Sequence, residues 1–187
     1  MSHEGELPHV QDWYLTAFEL IDLRSFSNLW FWIALAVIWS TASHYVLGVP
    51  FDMVTRARRA EPGTADEIEA SSDLQDLVRV HVNRLLYIER VAGLWLMGLG
   101  CFALTSLALL GFMYGLEFAQ ALFLLGFPMS LVFLLSLRTA HQIRDADGAG
   151  LHDKLTRHRR YVQMIGVVAI FFTSMWGMWQ NMVVGVI

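Results

Sequence analysis

Leu74–Gly93 reads LQDLVRVHVNRLLYIERVAG and runs straight into the apolar stretch Val91–Phe112. Leu74, Leu77, Val78, Leu85 and Ile88 recur at helical spacing among charged and amide side chains, and no Pro or Gly interrupts the run before Gly93. One helix is therefore expected to begin in water and end in hydrocarbon. At 1.5 Å per residue, the part from Asp73 to Arg90 would project about 25 Å beyond the bilayer. Its apolar stripe must be buried against a second polar connection or another protein. Upstream, a loop through Pro62 and Gly63 is followed by Thr64-Ala-Asp-Glu67 and Ser72-Asp-Leu-Gln75. Each places a hydroxyl at a cap position with Glu or Gln three residues on.

Composition sets the class around that helix. A chain of 187 residues that is 56% hydrophobic and only 16% charged is too apolar for an ordinary soluble domain. Four stretches, Leu29–Leu47, Val91–Phe112, Phe118–Leu137 and Tyr161–Val186, are long enough to cross about 30 Å of hydrocarbon as helices. The expected fold is thus an all-α integral membrane protein with four transmembrane helices, the second extended into the cytoplasm. Residues 28–187 form the single membrane domain, with cytoplasmic loops at 49–90 and 138–160. Residues 1–27 form an outer tail, where Trp13, Tyr14, Phe18, Ile21 and Phe26 suggest an interfacial amphipathic helix. The acidic start MSHEGELPHVQDWY lacks the basic and apolar regions of a signal peptide and is expected to be retained.

Lys and Arg give the orientation. Six lie between Arg56 and Arg90, six between Arg138 and Arg160, one is Arg24, and none falls in the turn around Gly115 or after the last span. Cytoplasmic loops carry such excess, so both termini are expected outside. Trp30, Trp32, Trp176 and Trp179 then fall at the outer interface, where indoles collect. Arg79, Arg84, Arg144, Lys154, Arg157, Arg159 and Arg160 are the expected contacts to a protein partner or to anionic headgroups at the cytoplasmic face. Lys154, Arg157 and Arg160 share helical spacing.

No catalytic motif is present: there is no nucleophile signature, P-loop or carboxylate pair, and no enzyme is expected. Nor does anything point to nucleic acid as a partner. Cys101 is the single cysteine, so one copy builds neither a disulfide nor a cysteine cluster. No resident cofactor or metal is expected, and the residues that would carry one are few. Haem would need two imidazoles at similar depth, for which His44 and His141 are the candidates. A divalent ion would draw on His141, Asp145, His152 and His158, the first two being one helical turn apart. Asp145-Ala-Asp147-Gly148 has an EF-hand beginning, but Ala149 and Thr156 stand where that loop needs oxygen ligands, so calcium is not expected. Met175, Met178 and Met182 offer thioethers suited to Cu(I), or simply a packing stripe. Pro128 should kink the third span. Close packing is expected at Ala36 with Ser40, at Gly93, Gly98 and Gly100, and at Thr173 with Gly177.

Three stretches carry a resemblance: FELIDLRSFSNLWFWIALAVIWSTASHYVLGVPFDMVTRARR (18–59), LVRVHVNRLLYIERVAGLWLMG (77–98) and GLEFAQALFLLGFPMS (115–130). Together they make the chain, up to about Leu137, resemble an alphaproteobacterial family of small membrane proteins labelled "component of SufBCD complex". That resemblance implies a bacterial inner-membrane location and a link to iron-sulphur cluster assembly, without transferable catalytic residues. The expected function is a non-catalytic accessory subunit or anchor presenting a cytoplasmic surface to a larger membrane complex. The alternative is a small oligomeric transporter or channel.

Overall fold

The structure is a computed structural model that describes Phe26 and residues 29–61, 63–146 and 148–184. In chain order it comprises α1 (Leu29–His44), strands β1 (Tyr45–Val46) and β2 (Val49–Pro50), α2 (Phe51–Arg59), α3 (Ala65–Ala108), α4 (Glu117–Asp145) and α5 (Leu151–Val184). Apart from that short hairpin, the regular structure of the described residues is all helical. Three helices, α3, α4 and α5, are long and apolar enough to cross a membrane. The expected outer tail at 1–27, with its interfacial helix, lies outside the described residues, Phe26 excepted.

α3 runs for 44 residues, about 66 Å. Its start is set by Thr64, whose hydroxyl accepts from Glu67 N–H at 3.3 Å, while the Glu67 carboxylate accepts from Gly63 N–H at 2.6 Å. The capping box is thus shifted by one residue on its return bond. Ser72, expected as a second cap, lies inside the helix and donates back to Glu69 O. The first box already satisfies the free N–H groups, so nothing ends the helix at Ser72. At the far end the helix widens into a π turn over Leu109–Met113 before Gly115, at φ +71°, reverses the chain.

The polar half of α3 carries the larger of the two buried apolar clusters among the described residues. Ala70, Leu74, Val78, Val82 and Leu86 recur every four residues and are buried against both strands, α2, and the head ends of α4 and α5. Val46, Val49, Val54, Ala57, Ala140, Ile143, Leu151 and Leu155 complete this core. The stripe read from sequence is therefore buried by the chain itself. Its centre lies on Leu74, Val78, Val82 and Leu86, whereas Leu77 and Leu85 sit at its flank and Ile88 is exposed. We call this assembly the head.

Two elements of the head were absent from the sequence reading. α1 ends at His44 rather than Leu47, because Leu47 (φ +52°) and Gly48 (φ +82°) take the two left-handed positions of a tight hairpin turn. α2 then occupies part of the stretch read as loop. Its side chains Val54 and Ala57 face the head, and Arg56, Arg58 and Arg59 face outward.

The apolar halves are packed unevenly. α4 lies between α3 and α5, and α1 packs on α5. Phe31, Leu35 and Trp39 form the buried face of α1, with the Trp39 ring filling the notch at Gly166 and Trp32 that at Gly177. A Cβ on Gly166 would lie 2.8 Å from that ring. Of the expected small-residue contacts, Thr173 and Gly177 are buried here. Gly98 and Gly100, on α3, face open space. Ala36 and Ser40 are exposed, because Phe31, Leu35 and Trp39 form the buried face of α1. α3 leaves its apolar surface largely bare: Leu94 is 87% and Trp95 81% exposed. Met175, Met178 and Met182 also face outward. Pro128 is buried within α4, and Ser130 donates to Phe127 O at 2.6 Å.

Candidate functional site

His81, Arg84, Arg138, Lys154, Arg157 and His158 line two cavities among the hairpin, α3, α4 and α5. His158, on α5, is only 3% exposed and lies 3.0 Å from the Thr139 hydroxyl on α4 through its Nδ1. That hydroxyl spends its one proton on Leu135 O at 2.9 Å. It must therefore accept from His158 Nδ1–H, which makes Nε2 the acceptor nitrogen of a neutral ring. Burial agrees: loss of water around the ring lowers its pKa from 6.5 to about 4. His158 lies among Arg157, Arg159 and Arg160, before the apolar stretch of α5 that begins at Tyr161.

His81, on α3, is oriented in the same manner. Its Nδ1 is 2.9 Å from Leu77 O, and a carbonyl accepts only, so Nδ1 carries the proton. The ring's other edge lies against Gly48, where a Cβ would be 2.6 Å from His81 Cδ2. Glycine thus serves both the positive φ of the turn and the close approach of this ring. His81 and His158 line one cavity of about 400 Å³ together with Arg84, Tyr45 and Ser136, and apolar side chains of α3, α4 and α5 close its other walls. A second cavity, of about 630 Å³, lies between α4 and α5 and shares His158.

The residues considered for metal or haem go separate ways. His141 Nε2 is 2.8 Å from a Glu89 carboxylate oxygen, joining α4 to α3. Its Nδ1 lies 3.4 Å from Arg144. Asp145 is exposed, and His152 is partly buried with its Nδ1 lacking a hydrogen-bond partner. The described residues hold no group of three or more His, Cys, Asp or Glu able to bind a metal ion. His44 is exposed and edge-on to Tyr45, with ring centroids 5.1 Å apart. Asp147 lies outside the described residues.

The basic residues also separate by role. Arg159 places its guanidinium 3.8 Å from the Phe51 ring centroid, tying α5 to α2 by a cation–π contact. It serves the head rather than an external surface. Arg79 pairs with Asp76 at 2.8 Å in an exposed bridge worth little. Arg84 lines the cavity with the two histidines, and Lys154 and Arg157 line the larger one with Arg138. Arg144 and Arg160 are exposed.

A further polar centre joins Gln180, whose amide the sequence suggests for a bond across helices or at the outer headgroups, to Gln120, which the sequence did not single out. Gln120, near the start of α4, is 3% exposed; its Nε2 donates to Gly111 O at 2.8 Å. Its Oε1 accepts from Trp176 Nε1 at 2.9 Å and from Gln180 Nε2 at 2.6 Å. A side chain on Gly111 would meet the Gln120 backbone at 2.9 Å, so the π turn and its glycine let the amide in. A lone amide within an apolar run was the available signal. Comparison with known protein families, with curated proteins and with solved structures gave no match.

Proposed function

We propose that the chain is a multi-pass protein of a bacterial inner membrane in which α1 is a fourth span and both termini lie outside. Its role is that of a non-catalytic accessory subunit or anchor, presenting the head to a partner complex on the cytoplasmic side. α1 has 16 residues, about 24 Å. Its seating along the apolar part of α5 supports the fourth pass. The positive charge of the loops supports the orientation.

One observation carries the anchor reading. Val80, Tyr87, Val91 and Leu94 share a face of α3, and all four are exposed. Val80 lies about 16 Å before the apolar stretch begins at Val91. The headgroup layer is only about 5–8 Å deep, so lipid alone does not account for a bare valine there. A partner helix standing against both the head and the apolar half would cover the whole stripe. The likeness of 18–59, 77–98 and 115–130 to proteins labelled as components of a SufBCD complex supports iron-sulphur cluster assembly as that partner's process.

The test is purification from native membranes in mild detergent, with quantitative mass spectrometry of what remains bound. Stoichiometric recovery with a larger complex, lost in Val80→Asp while the head stays folded, is the expected result. Recovery of a homo-oligomer alone, with a continuous polar pore, would replace this reading with the transporter or channel.

A further inference from the structure

The larger cavity combines two chemistries along its length. At one end stand Arg138 from α4 and Lys154 and Arg157 from the first turns of α5. Among the described residues no Asp or Glu lines it. Among the described residues the ion pairs are Arg79–Asp76 and His141–Glu89, so none of these three cations has a carboxylate partner. Lys154 gives one proton to Gln142 O at 3.0 Å and keeps two. Leu135, Met164, Ile165 and Val168 line the other end. From Lys154 to Val168 is about 21 Å along α5, and the walls change from cationic to apolar as the helix enters its hydrocarbon-like stretch.

A ligand that satisfies both ends carries a compact anion and at least one long apolar chain. We propose that this groove is a binding site for an anionic phospholipid, its phosphate held among Arg138, Lys154 and Arg157 and an acyl chain lying along Met164, Ile165 and Val168. Guanidinium groups suit phosphate because their paired N–H groups match two of its oxygens. Basic pockets between helices at the cytoplasmic side recognise headgroups by the same chemistry. The site rests on the membrane reading above and requires no protein partner.

The experiment uses the purified full chain, stripped of lipid in neutral detergent and offered phosphatidylglycerol, phosphatidylcholine or inorganic phosphate, with bound species read by native mass spectrometry. Phosphatidylglycerol should be retained about tenfold over phosphatidylcholine. Arg138→Gln with Arg157→Gln should bring its retention down to the phosphatidylcholine level, while Arg58→Gln with Arg59→Gln, which removes equal charge from α2, leaves it unchanged. Equal retention of the two lipids, or undiminished retention in the cavity variant, would overturn the site. Displacement of the lipid by millimolar phosphate would reassign it to a soluble anion. If the cavity variant does not fold, Val168→Trp, which fills the apolar end, should still lower phosphatidylglycerol retention, and unchanged retention would overturn the proposal. Recovery of the chain in the soluble fraction without detergent would instead sink the membrane reading itself.

Discussion

His158 and Gln120, both buried, hold opposite ends of the α4–α5 pair through hydrogen bonds. For His158 the consequence is a dependence on pH. Its folded pKa of about 4 lies below the ordinary 6.5, so the unfolded chain takes up the proton first as pH falls. The stabilisation is complete above 6.5 and is lost towards pH 4, about 3 kcal/mol in all. The charged and titratable groups lining its two cavities are His81 and Arg84 from α3, Arg138 from α4, Lys154, Arg157 and Tyr161 from α5, and Tyr45 from the hairpin. Thermal unfolding in detergent between pH 7 and 4.5 should show the loss, and His158→Gln should flatten it. An equally steep profile in that variant would show that the loss does not come from His158. Gln120→Leu should cost roughly 1–3 kcal/mol, because it strands Trp176 N–H, the Gln180 amide and Gly111 O in apolar surroundings. Unfolding in mixed detergent micelles reads this directly. Neither residue's role was visible locally: Thr139 precedes His158 by 19 positions and Trp176 follows Gln120 by 56.

α3 is one element in two solvents, and its two halves answer substitution differently. Leu74 is fully buried in the head, so Leu74→Ala should cost about 2–5 kcal/mol in lost transfer energy and cavity formation. Leu94 is almost bare, and Leu94→Ala should change the stability of the isolated chain by less than about 0.5 kcal/mol. Equal effects on the unfolding midpoint would mean that the head is not the stabilising core. The long helix was legible because its period, its cap at Thr64 and the absence of Pro all agree. The hairpin and α2 were not. A nine-residue helix is marginal alone and forms because Val54 and Ala57 meet the α3 stripe, a contact no local pattern encodes.

At the scale of the whole molecule, the proposed orientation puts Glu61 on the cytoplasmic side and Tyr114 on the outer side, both exposed. In a Cys101→Ala background, Tyr114→Cys should react with an impermeant thiol reagent in intact spheroplasts, and Glu61→Cys only after lysis. The reverse pattern would invert the chain, and labelling of both from one side would remove α3 as a span. Of the four apolar spans read from the sequence, three stand as helices long and apolar enough to cross a membrane; these, the continuity of α3 and the clustering of positive charge were determined by sequence alone, because length, hydropathy and periodicity act along the chain without reference to its partners. Tertiary structure decided the rest. It turned the α3 stripe inward onto α2, the hairpin and the ends of α4 and α5. It sent His141 to Glu89 and His158 to Thr139 rather than to a common metal, and it set Arg138 beside Lys154 and Arg157 around one groove. These pairings depend on how helices far apart in sequence cross, and a crossing is chosen by the summed packing of the whole core, which no single segment contains.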